Sequence, residues 1–145
     1  MSENYVDPSP EGFQAFKDLP RDRPIAMLNM IRYHEKAQYP SDHPYAAEAL
    51  TGEEAYRRYG RESGPVFLRV GGSLAWGGDF QAMVIGPFSE HWDRIFVARY
   101  PSGAAFLEMV TDPDYRKAVV NRNAAVADSR LIRIDPHESQ GGTFA

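Results

Sequence analysis

The sequence contains no cysteine, so it has no disulfide framework, no thiolate nucleophile and no sulfur-ligated zinc site. It also lacks a run of roughly 18 apolar residues, the length needed to span a membrane, and residues 1–16 lack the apolar core of a signal peptide. Its 16 basic side chains are outnumbered by 20 acidic ones and are spread along the chain, which argues against nucleic-acid binding. We therefore expect a cytoplasmic protein whose partners include neither nucleic acid nor a membrane.

The chain does contain enough apolar material for one core, because 43% of its 145 residues are hydrophobic. A chain of this length buries roughly two-thirds of the surface that it exposes when unfolded. We expect an N-terminal arm over residues 1–23, a single α+β barrel domain over residues 24–135 and a polar tail over residues 136–145. Within the domain, residues 34–50 form a long inserted loop that acts as a lid or as an arm toward a partner.

Apolar periodicity predicts main elements in the order β, α, β, β, α, β. Residues 25–33 form a strand that is apolar on both faces. Thr51 and Glu54 form a capping box that begins the first main helix. Residues 77–79 (Gly-Gly-Asp) indicate either a tight hairpin or a bulge in one irregular strand. The other predicted elements are β segments over residues 73–76 and 80–85, a strand over 92–100, helices over 102–110 and 112–126, and a strand over 131–134.

Two right-handed strand–helix–strand crossovers most economically form a ferredoxin-like βαββαβ sheet with both helices on one face. In this sheet the first and third strands are antiparallel neighbours. The other face carries too many apolar side chains for contact with water, because residues 25–33 and 92–100 are hydrophobic on both sides. We therefore expect a two-fold homodimer in which the sheets of two copies face each other.

The second half of the chain carries a motif of a known family. A strand ends in Tyr-Pro-Ser, a helix starts with Asp-Pro-Asp-Tyr, and an arginine and a final strand follow. The residues that carry this motif are Trp92 to Ser102, Phe106, Asp112 to Tyr115, Arg122, Ala124, Ala125 and Asp128 to Ile132. With these residues the chain resembles, over residues 24–134, the domain of unknown function numbered 1330.

This resemblance implies a dimeric α+β barrel. Its superfamily includes cofactor-free monooxygenases, muconolactone-type isomerases, dye peroxidases and haem-degrading enzymes, so the fold by itself implies no single reaction. Residues 102–127 contain no histidine that could serve as the axial haem ligand of the haem-degrading relatives. We therefore expect no cofactor.

Strand pairing predicts one group of candidate catalytic residues. His34 leaves the first strand beside His91 and Asp93 at the entrance of the third, and His43 of the inserted loop lies over the same end. Such a cluster is a general base held by a carboxylate, a metal site, or a set of idle loop histidines. Because no His-x-His or His-Glu-x-x-His spacing is present, we take His34, His91 and Asp93 as catalytic candidates without a metal.

Asn29 is a candidate ligand-binding residue, because it is a polar side chain in the middle of a strand that is covered on both faces. A buried amide needs hydrogen-bond partners, so Asn29 either pins a neighbouring element or faces a cavity. In the haem-degrading and quinone-forming relatives an asparagine acts together with a tryptophan, and the resemblance implies Trp76 or Trp92 as that partner here.

Arg99 and Tyr59 complete the candidate ligand site. A half-buried guanidinium suits a substrate carboxylate, or it pairs with an internal acid such as Glu108 or Asp112. We expect Arg69 and Arg122 to approach Arg99. Tyr59 lies one helical turn from Tyr56, and such tyrosines place their rings in the core with the hydroxyl at the rim.

The sequence thus predicts a homodimer that binds a small molecule through Asn29, Tyr59, Trp76 and Arg99. The candidate activities are a cofactor-free isomerase or monooxygenase that acts on a small aromatic or carboxylated compound. The alternative is a non-catalytic binding or structural dimer. An accessory protein of a larger oxygenase has the same sequence features.

Overall fold

The structure, a computed structural model, describes residues 4–137. The predicted tail lies outside the described residues from residue 138 onward. The helices are α1 (Pro10–Asp18), α2 (Gly52–Arg69), α3 (Gly103–Thr111) and α4 (Pro113–Ala125), and the strands are β1 (Ile25–Tyr33), β2 (Ser73–Asp79), β3 (Arg94–Tyr100) and β4 (Val126–Ile134).

The helices begin where the sequence provides capping side chains. The hydroxyl of Thr51 accepts the Glu54 N–H at 3.1 Å, and the Glu54 carboxylate accepts the Thr51 N–H at 2.9 Å. This reciprocal pair is the predicted capping box, and it begins α2. Asp112 separates α3 from α4, and its carboxylate accepts the Asp114 N–H at 2.7 Å.

The four strands form one antiparallel sheet in the order β2-β3-β1-β4. Strand β1 lies between β3 and β4, so that Met27 pairs with Ala98 on one side and with Arg133 on the other. This order confirms the predicted ferredoxin-like sheet, including the antiparallel pairing of the first and third strands.

The helices cover one face of this sheet and build the core there. Ile25, Met27 and Ile31 of β1 are 1%, 3% and 0% exposed, and they pack among buried residues of the helices such as Val66 and Ala125. Helix α1 joins this layer through Phe16, whose ring centroid lies 4.9 Å from that of Phe106. The predicted N-terminal arm therefore packs against the helical layer.

The opposite face of the sheet, called the open face below, is apolar and has no cover from the described chain. Because side chains alternate along a strand, the register of the three strand pairs assigns this face. Trp76, Ile132 and Ile134 on it are 58%, 45% and 38% exposed. Its other apolar members, Leu28, Met30, Ile95 and Val97, are half-buried.

Residues 73–93 differ from the predicted pattern. Residues 77–79 belong to one strand, β2, whose register shifts between Leu74 and Trp76, so the bulge hypothesis is confirmed in place of the hairpin. The predicted strand over residues 80–85 is wrong, because residues 80–93 form an irregular connection. Val84, Ile85 and Phe88 are about nine-tenths exposed there.

The inserted loop, residues 34–50, packs against the ends of α2 and α4. The Tyr39 hydroxyl donates to the Asn121 side-chain oxygen at 2.5 Å, and the Gln38 N–H donates to the Ala124 carbonyl at 2.8 Å. A short 3-10 turn, Pro44–Glu48, follows with His43 as its N-cap. These contacts attach the loop to α4.

In the described part of the chain, no helix has the length and apolar character that a membrane span requires.

Candidate active site

A cavity of about 960 Å³ lies between the sheet and the helices. Met27 and Asn29 of β1, with Phe96 and Ala98 of β3, form its floor, and residues from all four helices form its walls. The volume is within the range of small-molecule sites in proteins. Gly60 of α2 borders this space, and a Cβ added there meets nothing within 4 Å.

One end of the cavity is apolar and aromatic. Met27 and Ala98 are paired across β1 and β3, and Tyr100 lies one pleat further along β3. The Phe67 and Phe106 rings stand at right angles or nearly so to the Tyr100 ring, with centroids 5.5 Å and 5.3 Å from it. This end therefore offers ring faces and edges to a flat apolar ligand.

The other end of the cavity is polar. Arg94 on β3 and Ser129 on β4 both pair with Ile31, so they lie on the helix-covered face one pleat beyond Asn29. The Asn29 Nδ2 donates to the Met27 carbonyl at 3.1 Å. Arg122 of α4 reaches the same end and donates to the Ser129 Oγ at 3.3 Å.

The cavity lining carries a strong excess of positive charge, although the whole chain has a net charge of −4. Asp7 is the one acid among the described lining residues, against the arginines Arg94, Arg116, Arg122, Arg130 and Arg133. Within residues 4–137, neither Arg94 nor Arg122 forms a salt bridge. The polar end thus presents two guanidinium groups that lack a carboxylate partner in the described chain.

Tyrosine hydroxyl groups join the two ends. The Tyr59 and Tyr115 hydroxyl oxygens lie 2.9 Å apart in a hydrogen bond. Burial raises the pKa of both Tyr56 and Tyr115 far above the usual value, although the Arg122 guanidinium acts in the opposite direction. These phenols are therefore protonated at neutral pH, and they can donate hydrogen bonds to a ligand oxygen.

A short segment before α1, residues 5–7, closes the polar end of the cavity and is called the strap below. The Tyr5 N–H donates to the Asp128 carboxylate at 2.9 Å, and the Ser129 hydroxyl donates to the Tyr5 carbonyl at 2.7 Å. The Arg122 Nη1 donates to the Val6 carbonyl at 2.5 Å.

Asp128 is ionised at neutral pH. Burial alone raises the pKa of its carboxyl group, but hydrogen bonds from Tyr5, Arg130 and Ser129 outweigh burial and hold the pKa below its usual range. The strap is thus attached to a carboxylate that carries a full charge at neutral pH.

The predicted catalytic residues do not line this cavity. Asp93 lies beside the exit of β1, as strand pairing predicts, and its carboxylate accepts the Tyr33 N–H at 2.7 Å. Burial, together with the Arg32 guanidinium, lowers the pKa of His34, and His91 is exposed. His43 caps the 3-10 turn by accepting the Tyr45 N–H at 3.1 Å. In the described chain, no three His, Asp or Glu side chains are grouped to hold a metal ion.

The predicted ligand-binding residues divide between the two faces of the sheet. Asn29 and Tyr59 line the cavity. Trp76 lies on the open face, and Arg99 shares that face because it pairs with Ala26. Asp112, a predicted partner of Arg99, forms its salt bridge with Arg69.

Arg94 and Ser129 are cavity residues that the sequence interpretation missed. The alternation of β3 places Arg94 on the same side as Phe96, so this residue could have been found from the pattern. Arg122, which we expected beside Arg99, lines the cavity, whereas Arg99 does not. Ser129 lies before the predicted start of the last strand.

The family model of the domain of unknown function DUF1330 matches residues 46–135. Among solved structures, the RPA0582 protein of unknown function from Rhodopseudomonas palustris is 50% identical, and the match covers 94% of this chain and 100% of that chain with a TM-score of 0.85. The methylated RPA0582 protein gives 48% identity, coverage of 98% and 100%, and a TM-score of 0.87.

A more distant solved structure shares the fold. It is SnoaB, a cofactor-independent oxygenase from Streptomyces nogalater, which is 11% identical to this chain with a TM-score of 0.51. The match covers 83% of this chain and 99% of that chain. The comparison with curated proteins finds no match.

Proposed function

Because the chain belongs to the DUF1330 family, a domain of unknown function, we propose its function from the cavity: it binds a small aromatic or carboxylated compound between sheet and helices. Asn29 and Tyr59 keep the ligand-binding role expected from the sequence. Arg94 and Arg122 take the role that the sequence assigned to Arg99, because they line the cavity and Arg99 does not.

One observation carries this proposal, namely the division of one cavity into an aromatic end and an end where Arg94 and Arg122 have no carboxylate partner among the described residues. Structural arginines in a protein interior normally have a carboxylate partner. A pair without one suits an anionic ligand, and guanidinium groups favour carboxylates because they can bind both oxygens. Phe67, Tyr100 and Phe106 suit the apolar body of the same molecule.

Binding is favoured over catalysis by the contents of the lining. His34, His91 and Asp93 are outside it, so the imidazole base proposed for an isomerase or monooxygenase has no counterpart among the described lining residues. The phenols of Tyr59 and Tyr115 can polarise a ligand oxygen by hydrogen bonding. The same compounds that test binding, incubated with the protein and followed by mass spectrometry, test for turnover.

Ligand binding is tested with two variants of Asn29. In Asn29→Phe the larger ring occupies the middle of the cavity, whereas Asn29→Leu keeps nearly the original volume. We expect 2-naphthoate at a hundredfold excess over its Kd to raise the Tm of the unaltered protein by about 8 °C. Asn29→Phe removes this shift, and Asn29→Leu retains most of it. Calorimetric titration measures the affinities, and equal binding by Asn29→Phe and the unaltered protein contradicts the proposal.

We further propose that two copies of the chain associate through the open face. The support is its composition, because Leu28, Val97, Trp76 and Ile132 form a contiguous apolar surface across the strands of the sheet. Soluble monomers rarely leave an apolar patch of this kind in water. A two-fold axis lets one surface cover itself in a second copy.

Dimer formation is tested with Ile132→Lys, which places like charges against each other across the two-fold axis. We expect light scattering coupled to size-exclusion chromatography to give a dimer for the unaltered protein at micromolar concentration. The dimer dissociation constant of Ile132→Lys increases by a factor of about 100 or more. Leu68→Lys is the control, since Leu68 is 70% exposed on α2 and lies far from this face. A monomeric unaltered protein contradicts the dimer.

A further inference from the structure

Arg122 holds an unusual position at the polar end of the cavity. Its Nη1 donates to the Val6 carbonyl at 2.5 Å and its Nη2 to the Ser129 Oγ at 3.3 Å. Both acceptors are neutral oxygens. In the described chain no carboxylate lies within salt-bridge distance of this guanidinium.

We propose that Arg122 and Ser129 form a carboxylate subsite, and that the strap occupies this subsite until a carboxylate displaces it. The inference rests on the proposed function, because it assigns the acidic group of the cavity ligand to one place. While the strap is in place, the Val6 carbonyl oxygen occupies the position of one carboxylate oxygen of the ligand.

The exchange of acceptors is favourable at Arg122. A hydrogen bond from a guanidinium to a carboxylate is shorter and stronger than one to a neutral carbonyl. The Ser129 hydroxyl, which donates to the Tyr5 carbonyl at 2.7 Å, is released by the same movement. It then donates to the second carboxylate oxygen, so the ligand head satisfies every donor that the strap leaves.

The strap can move without the rest of the N-terminal region. Tyr5 is 50% exposed, Asp7 is exposed, and Val6 is half-buried. Helix α1 has its own attachment, since Phe16 is buried and the Arg133 guanidinium donates to the carbonyls of Phe16 and Pro20. Such a segment can open while its neighbours stay folded, at a cost that includes its bonds to Arg122, Asp128 and Ser129 and the contact of the Tyr5 ring with Arg130.

The closed strap lowers the apparent affinity for a carboxylate, because binding must first open it. Strap opening also explains how an anion reaches the Arg122 guanidinium at the polar end of the cavity. The strap and the subsite therefore act together, because the anionic group of the ligand displaces the strap from the subsite to which it binds.

The test compares 2-naphthoate with 2-naphthamide, its uncharged analogue of nearly equal shape, by calorimetric titration. We expect the unaltered protein to bind the carboxylate about tenfold more tightly than the amide. In Arg122→Gln this ratio falls to about one while the amide affinity is unchanged, and Arg122→Lys gives an intermediate ratio. Arg61→Gln is the control, because Arg61 is exposed on α2 and does not line the cavity, and it keeps the ratio of the unaltered protein.

Strap movement is measured by hydrogen exchange on the full chain. We expect 2-naphthoate, but not 2-naphthamide, to increase deuterium uptake in residues 4–9, because the Tyr5 N–H loses its bond to Asp128. Val6→Gly weakens the packing of the strap and increases the 2-naphthoate affinity by about threefold.

Three results overturn the inference. The subsite is contradicted if Arg122→Gln keeps the preference for the carboxylate. It is also contradicted if Arg94→Gln alone loses this preference. Unchanged uptake over residues 4–9 removes the displacement. These failures differ from failure of the proposed function, in which neither compound binds and Asn29→Phe behaves like the unaltered protein.

Discussion

Replacement of Gly52 by alanine is expected to lower the free energy of unfolding by about 3 kcal/mol. Gly52 is the first residue of α2, and three segments of main chain meet there. A Cβ at this position would lie 2.0 Å from the His34 carbonyl oxygen and 2.9 Å from the Ala125 carbonyl oxygen. Both are main-chain atoms held in hydrogen-bonded positions, because the His34 N–H donates to Ala125 at 2.8 Å. The exit of β1 and the end of α4 must move away from the start of α2 to admit one methyl group.

Urea denaturation of Gly52→Ala measures this effect, and Gly60→Ala is the matched control in the same helix. The new methyl group of Gly60→Ala meets nothing within 4 Å. Removing a glycine from a helix interior stabilises the protein by about 0.5 to 1 kcal/mol. The two substitutions thus make the same chemical change, but their expected effects on the free energy of unfolding are opposite in sign. Equal effects on stability would show that helix propensity, and not the contact with His34, determines the outcome.

Truncation of Ile31 to alanine has a comparable effect, with an expected loss of about 3 kcal/mol within the range of 2 to 5. Ile31 is 0% exposed in the central strand, where it packs with Ala55, Tyr56 and Val126. Its neighbours are held by strand pairing on both sides, so the void left by three carbon atoms cannot close by a small shift.

The unfolding midpoint of Ile31→Ala in urea measures the loss, with Leu68→Ala as the exposed control that changes stability by about 0.5 kcal/mol or less. A second expectation concerns the site. Because Arg94 and Ser129 both pair with Ile31, loss of its packing also loosens the polar end of the cavity. A fully stable Ile31→Ala variant would contradict the assignment of the core to this face.

The sheet was predictable because its signal is local. The apolar residues on both faces of residues 25–33 identify β1 as a central strand. The capping box at Thr51 identifies the start of α2 from two side chains, and Ser102 identifies the start of α3 in the same way. With these elements in order, the right-handed crossover determines the strand order without any knowledge of packing.

The connection over residues 80–93 was not predictable from its pattern. Val84 and Ile85 read as strand residues because branched apolar side chains favour strands. The structure leaves both about nine-tenths exposed, in a connection outside the four strands of the sheet. Composition reports what a residue prefers, whereas its surroundings depend on the rest of the chain.

The residues of the candidate site differ in the same way, because some show a local pattern and others depend on the rest of the chain. Asn29 was found because a polar residue in an apolar strand is locally conspicuous. Trp76 was assigned to the cavity, but the register shift in β2 places it on the open face with Val97. Arg122 was expected beside Arg99, because a helical stripe does not show which of its members border an empty space. The cavity depends on the distance between the helices and the sheet, and the pattern of a single segment does not show that distance.

The outer strands of the sheet determine how far assembly can proceed. Strand β2 is irregular between Leu74 and Trp76, and the start of β4 is bordered by Tyr5, which bonds to Asp128 and Ser129. The irregularity in β2 interrupts the straight row of free N–H and carbonyl groups from which fibrils grow. Contact between copies through a flat surface closes after two, whereas addition at a margin has no natural end. The bulge in β2 therefore works against open-ended aggregation at this margin.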